Sequence, residues 1–487
     1  MIFNSFEFAI FVAIAFGVYW LVLRSNIAQQ NAFLLVASYV FYGWWDWRFL
    51  SLIIASTIID YSVGLRLSRK SLQKTRILLL STSIVFNIGM LGVFKYYNFF
   101  MDNLVSLMAT LGIDLQESSL QLVLPVGISF YTFQTLSYSI DVYKKRIEPT
   151  SDFIAFAAFV SFFPQLVAGP IERASNLLPQ FLKKREFTYD KAVDGMRQIL
   201  WGLFKKIVIA DNAAHYVNDI FSNYWNYNGS TLLLGGVFFA LQIYGDFSGY
   251  SDVAIGVSRV FGFSLKRNFA FPYFSRDIAE FWRRWHISLS SWFRDYLYIP
   301  IGGSQGSRVQ QARNILLIFV VSGLWHGANW TFIGWGLLNA IFIIPLILNG
   351  SNRRNVEIVA LGKLFPTLKE LISMMATFML TTFAWILFRS ESITHAFQYY
   401  RVLFSSSLLL SPIGDLRAAN TGYHIIYLLF SIVILMSVEW IQRSEEHGLR
   451  LDSDKIHKAF RWIIYYIIVI MCIAISGVQQ EFIYFQF

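Results

Sequence analysis

Thirteen apolar runs divide the chain: 2–23, 28–45, 49–65, 77–100, 120–140, 153–168, 195–217, 229–256, 313–324, 328–349, 371–388, 421–441 and 462–479. Most reach or approach the roughly 20 residues a helix needs to cross a hydrocarbon core. They are continuous, not alternating over about ten residues, which argues for helices and against a transmembrane barrel. The pattern predicts an all-α polytopic membrane protein with roughly 11–13 membrane helices. No internal repeat or low-complexity linker interrupts it, so 1–487 reads as a single membrane domain with no separate soluble domain.

Charge placement adds an orientation. The first residues lack a positive n-region and contain Glu7, so Phe8–Leu23 reads as a retained helix rather than a cleaved signal, with the N-terminus outside. Arg24 then lies inside. After the third helix, Arg66, Arg69, Lys70, Lys74 and Arg76 fall inside too, while Asp102, Asp114 and Glu117 occupy an outer loop. The count fails between Lys144-Lys145-Arg146 and Lys183-Lys184-Arg185. Both clusters should be inside, yet only the run 153–168 separates them. A re-entrant segment resolves this, because Pro164, Gly169 and Pro170 break the helix where protein can cover the backbone. Residues 160–173 are therefore expected to form the wall of a site.

Composition agrees with a bilayer as solvent. The chain is 56% hydrophobic and 14% charged, against about 25% charged in soluble domains. The net charge of +10 is read as the lysine and arginine excess of cytoplasmic loops, not as a nucleic-acid surface. The lone Cys472 excludes an intrachain disulfide framework and cysteine-rich metal sites. Residues 144–313 hold 20 of the 40 Lys and Arg against 13 Asp and Glu. Two readings stay open: a surface near anionic lipid, or an entry surface for a phosphate-bearing donor.

Two segments carry candidate chemistry. In 276–298, Ile278, Phe281, Trp282, Trp285, Leu289, Trp292, Phe293 and Tyr296 recur on one helical face, with Arg283, Arg284, Glu280, Arg294 and Asp295 opposite. This predicts an interfacial helix with His286 at the flank, about 80° from the centre of the apolar face at 100° per residue. In 320–336, His326 lies between two apolar runs, beside the small residues Ser322, Gly323, Gly327 and Ala328. An ionisable group at membrane depth is costly and usually functional. Asn329, three residues on, is placed to hydrogen-bond the imidazole or a substrate. The run 313–324 is short for a crossing, which predicts a broken or tilted helix. No metal-ligand spacing, nucleophile elbow or phosphate loop appears, and the other five histidines look ordinary. Asp246 and Asp252 read as buried packing groups, with proton carriage as the alternative.

Together, FWRRWHISLSSWFRDYLYIPIGGS and SGLWHGANWTFIGWG resemble the membrane-bound O-acyltransferases. PVGISFYTFQTLSYSIDVYK at 125–144, SFFPQLVAGPIER at 161–173 and EFIYFQF at 481–487 fit the bacterial, alginate O-acetyltransferase-like branch, which more distantly includes the D-alanyl type. The resemblance is closest over 121–340. It implies re-entrant segments around a central funnel or tunnel, and acyl transfer from a thioester, acetyl-CoA or another, to a glycan hydroxyl, with no bound cofactor. It implies His326 as the catalytic histidine and His286 as the second. A periplasmic or extracellular SGNH-type partner would complete transfer, and a bacterial inner-membrane location follows.

On this reading His326 is the general base. Asn329 and Trp325 polarise the thioester carbonyl, Ser322 supports them, and His286 is a second polar contact or relay. Arg283, Arg284, Lys205 and Lys206 form a donor-side basic surface. The alternatives are D-alanyl or lipid acyl transfer, or a non-enzymatic glycan or lipid transporter. A transporter's inverted repeats are not visible.

Overall fold

The structure is a computed structural model. It describes all residues except 70–71, 116–121, 168, 419–421, 452–455 and 486–487, and the side chains of 417–418, 422–424 and 485 are not described. Lys70, Glu117, Ala168, the His424 side chain and the end of the 481–487 motif therefore lie outside the described residues. Every regular element among the described residues is helical. Five helices there are long and apolar enough to cross a membrane: Ile27–Ser68, Gln73–Thr110, Gly229–Val260, Trp330–Leu348 and Leu368–Arg389. Shorter apolar helices cover Phe6–Val22, Phe153–Leu166 and Ile425–Ile441. The expected all-α polytopic membrane class holds.

The chain divides into two compact units, Met1–Ala192 with Val257–Lys266, and Val193–Gly256 with Arg267–Phe487. In the first, Asp60 is fully buried among helices Leu50–Ser68, Gln73–Leu91 and Ile128–Tyr143. A carboxylate in such surroundings must be hydrogen-bonded. Asp60 accepts from the Ser83 hydroxyl, from Ser139 at 2.6 Å and from Asn87 Nδ2 at 2.8 Å. The Asn87 carbonyl oxygen in turn accepts from Ser56 at 2.9 Å and Thr135 at 3.1 Å.

The 153–168 run is broken in this unit, as its Pro and Gly content predicts. Helices Phe153–Val160 and Phe163–Leu166 are separated at Ser161–Phe162. Buried groups answer one another there: Gln134 Nε2 donates to the Phe159 carbonyl at 2.8 Å, Gln165 Nε2 to Gln134 Oε1 at 3.1 Å, and the Phe163 amide to Ser38 at 3.1 Å.

In the second unit, helix Tyr189–Leu203 continues through a π-helical turn, Phe204–Ala210, alongside helix Gly229–Val260. Glycines let the backbones touch: a Cβ at Gly249 would meet the Gly202 carbonyl oxygen at 2.7 Å. Helices Arg308–His326 and Trp330–Leu348 form an antiparallel hairpin. A Cβ at Gly323 would overlap the Phe332 carbonyl, and one at Gly336 the Phe319 carbonyl, so no side chain separates the two helices there.

Candidate active site

His326 is the last residue of its helix. A Ser307–Gln310 capping box starts that helix, so it runs well upstream of the apolar run 313–324 and is not short. The break comes afterwards: Gly327 is extended at φ −168° and ψ 160°. A second helix then opens with Asn329 as its N-cap, whose side chain accepts from the Thr331 amide at 2.9 Å and donates to the Glu391 carbonyl, also at 2.9 Å. This corrects the placement of Asn329 one helical turn beyond His326. Its oxygen satisfies an orphan amide of the new helix. Ser322, one turn before His326, is buried in the hairpin.

The His326 ring is enclosed by aromatics. Ring centres lie 4.9 Å from Trp325, 4.9 Å from Trp335, 5.5 Å from Phe388 and 5.7 Å from Tyr484. His286 shares the cage, at 6.0 Å from Trp325 and 4.7 Å from Phe247. Phe247 and Tyr484 are themselves 4.5 Å apart. Trp325 thus packs against both imidazoles.

The local backbone at His286 is not the continuous helix that the 276–298 periodicity predicts. Helix Ile278–Arg284, capped by Asp277, ends at an extended Trp285, and helix Ile287–Phe293 begins after His286. His286 itself is left-handed, at φ 44° and ψ 54°. Such a conformation costs a residue with a Cβ about 1–2 kcal/mol and persists only when its surroundings fix it. Here the segment 268–270 does so: the Ala270 amide donates to the Arg284 carbonyl at 2.9 Å and the Ile287 amide to the Asn268 carbonyl at 2.9 Å. His286 lies outside the five long apolar helices. Burial pushes its imidazolium down to about 3, so the ring is neutral.

The basic surface is corrected by burial. Lys205 and Lys206 are inside the protein, 2% and 7% exposed. Lys205 pairs with Asp252 at 2.6 Å, and Lys206 with Asp246 at 2.7 Å and Asp211 at 2.9 Å. Asp246 and Asp252 are thus ion-paired packing groups. A lysine in an apolar helix needs such partners, since an unpaired buried charge costs several kcal/mol. Arg284 is half-buried and pairs with Glu280 at 2.8 Å, which Arg276 also contacts at 3.0 Å. Of the four, only Arg283 is exposed, and it donates to the Asn352 and Asn355 carbonyls at 2.8 and 2.7 Å.

One buried pair has a further use. The segment after helix Lys458–Ala474 is tied down by Lys206, which donates to the Gln480 carbonyl at 3.0 Å, and by Asp246, which accepts the Ile483 amide at 2.6 Å. These bonds bring Phe482 to 4.6 Å from Tyr250 and Tyr484 into the histidine cage. The Tyr484 hydroxyl is buried and meets no hydrogen-bond partner among the described residues.

A sequence profile described as MBOAT, membrane-bound O-acyltransferase family, matches residues 144–384. A protein of Azotobacter vinelandii named probable alginate O-acetylase is 38% identical over 89% of this chain and 84% of its own length. The chain belongs to the membrane-bound O-acyltransferase family. A Helicobacter pylori peptidoglycan O-acetyltransferase is 34% identical over 81% of this chain and 78% of its own. A Bacillus subtilis teichoic acid D-alanyltransferase is 29% identical over 45% and 58% respectively. As a membrane-bound O-acyltransferase the protein is an acyl-transferring enzyme of the membrane, which agrees with the resemblance in its motifs.

Phe247, Asn268, His286 and His326 fall inside the span matched to membrane-bound O-acyltransferases, and Tyr484 falls beyond it. Phe247, Asn268 and Tyr484 were not among the sequence candidates. For Tyr484 a signal existed, an acid and four aromatics in seven residues after the last apolar run. Asn268 sits 18 residues before His286, in a segment with no periodicity to mark it. The adjacent pair Lys205-Lys206, inside an apolar helix, could have been read as demanding buried acids.

Proposed function

We propose that the protein moves an acetyl group from a cytoplasmic thioester, acetyl-CoA, across the inner membrane for O-acetylation of an exported, alginate-like polysaccharide. The observation that carries this is the shared cage: two buried histidines packed on one tryptophan, in a chain whose relatives at 34–38% identity are named for O-acetylation of alginate and peptidoglycan. The D-alanyl relative is matched over less than half the chain, which favours acetyl over D-alanine.

In the proposed reaction the hydroxyl oxygen of the acceptor attacks the thioester carbonyl carbon. Its O–H bond breaks as the C–O bond forms, the C–S bond breaks, and the proton ends on sulfur. His326 is the base that draws the proton from oxygen, an effect worth about 10²–10⁴-fold. Trp325 packs against both imidazoles, and its indole N–H is the candidate donor to the carbonyl oxygen as charge develops there. His286 handles the proton between oxygen and sulfur. The aromatic walls exclude water, which protects the acyl group from hydrolysis. The donor stays inside and the glycan outside, with the N-terminus on the outer face and an SGNH-type partner receiving the acyl group there.

The test is a deletion strain complemented with wild type or His326→Ala. Ester-linked acetyl on the surface polysaccharide, measured by mass spectrometry, should disappear in the variant while membrane insertion is unchanged. Full acetylation by His326→Ala would overturn the assignment.

A further inference from the structure

We propose that Asn268 is a positioning residue, which fixes the tautomer of His286 and leaves its Nε2 as the proton-accepting nitrogen of the cage. This rests on the acyl-transfer reading above and gives its second histidine a definite chemical state.

The assignment follows from donors that cannot be anything else. The backbone amide of Ser288 is 3.3 Å from Asn268 Oδ1 and must donate to it, which identifies that atom as the carbonyl oxygen. The other end of the amide agrees, because Asn268 Nδ2 donates to Ser251 Oγ at 3.1 Å. The Ser288 hydroxyl adds a third contact to Oδ1 at 2.9 Å. His286 Nδ1 lies 3.0 Å from the same oxygen. Two acceptors cannot share a hydrogen bond, so Nδ1 carries the hydrogen and Nε2 carries the lone pair. Nε2 is buried and has no hydrogen-bond partner among the described residues. The left-handed backbone of His286 aims the ring into this bond, since the Ile287 amide is pinned to the Asn268 carbonyl at the same place.

Asn268 is fully buried and its side chain is committed to these contacts, so the ring cannot rotate to exchange its nitrogens without breaking them. In the reaction, the proton that leaves the acceptor hydroxyl for His326 passes to sulfur by way of His286 Nε2. Nδ1 keeps its hydrogen on Asn268 throughout, so Nε2 is both the entry and the exit for the proton. Atoms balance: one O–H bond is lost, one S–H bond is gained, and both imidazoles end neutral. A base oriented by a third group in this way is the general logic of activated catalytic histidines.

The experiment uses the full-length protein in two forms. In detergent, ¹⁵N-histidine NMR should show His286 as the Nδ1–H tautomer, assigned by loss of the signal in His286→Asn, and Asn268→Ala should convert it to a mixture. In inverted membrane vesicles, thiol release from acetyl-CoA should fall about 100-fold in kcat for Asn268→Ala, with KM for acetyl-CoA within about twofold. Asn268→Asp should restore most of the rate. Its carboxylate stabilises the imidazolium and raises the pKa of His286, and the reaction needs Nε2 free. The acid limb of its kcat profile therefore moves to higher pH. An Nε2–H tautomer in the wild type, unchanged kcat in Asn268→Ala, or an unshifted acid limb in Asn268→Asp would each overturn the proposal. The NMR readout needs no turnover, so it separates a wrong tautomer from a wrong reaction.

Discussion

Around Asp60 both carboxylate oxygens are answered, by Ser83, Ser139 and Asn87, and the second layer of Ser56 and Thr135 is answered in turn. Around His286 only one of the two ring nitrogens is answered; Nε2, like the hydroxyl of the cage residue Tyr484, is buried without a hydrogen-bond partner among the described residues. Asp60 and His286 are buried alike, and each is hydrogen-bonded to an Asn side chain. What differs is saturation. A saturated polar cluster holds helices together, whereas an unsatisfied buried donor or acceptor costs about 1–3 kcal/mol and calls for an explanation. In a membrane-bound O-acyltransferase, the explanation proposed for the second cluster is chemistry.

Four substitutions test that contrast. The largest effect on turnover belongs to His326→Ala, expected to lower acetyl transfer by at least about 100-fold while membrane insertion is unchanged; quantifying transfer in vesicles alongside the surface-glycan measurement checks it. Next comes Asp246→Ala, which leaves Lys206 with Asp211 as its carboxylate partner and frees the Ile483 amide. It should loosen residues 480–484 and cut turnover about tenfold to 100-fold, by analogy with supporting residues at other sites. Hydrogen exchange of the 480–484 amides, read beside the rate, shows whether the loss runs through that segment. Arg283→Glu should change turnover less than about threefold, because its partners are carbonyls at the surface; the dependence of rate on acetyl-CoA concentration measures it. Asp60→Ala should leave turnover per folded molecule unchanged and instead destabilise the protein by about 3 kcal/mol, seen as faster thermal inactivation in detergent. A catalytic loss in Asp60→Ala without a stability loss would erase the distinction between the two clusters.

The contrast also explains what the linear chain could reveal. Long apolar runs and the break after His326 are local properties, written in Gly327 and in the cap at Asn329. The class of fold was therefore legible, as was the discontinuity beside His326, and the Pro and Gly content of 160–170 located a real helix break. Saturation is not local. Asp211 lies five residues from Lys206, but the other partners, Asp246 for Lys206 and Asp252 for Lys205, are 40 or more positions away, so buried ion pairs read as a surface. The helical period through 276–298 is also intact in the sequence. It is interrupted at His286, where Asn268 and Ala270, on another segment, bond to the backbone on either side of the left-handed turn. Tyr484 reaches the cage by bonds from Lys206 and Asp246 to backbone atoms, which leave no trace in side-chain pattern.

The left-handed backbone of His286 has a consequence for anyone building a mutant library. Residue types differ in how readily they occupy φ near 44°, and Asn and Gly do so far more easily than Ala, Val or Phe. A scan at position 286 will therefore sort its variants first by backbone tolerance and only second by side-chain chemistry. His286→Asn keeps a polar group in an acceptable conformation and isolates the lost imidazole, while His286→Ala mixes that loss with a distorted turn. Ranking the variants of this single site by expression and by rate, separately, would show two different orders.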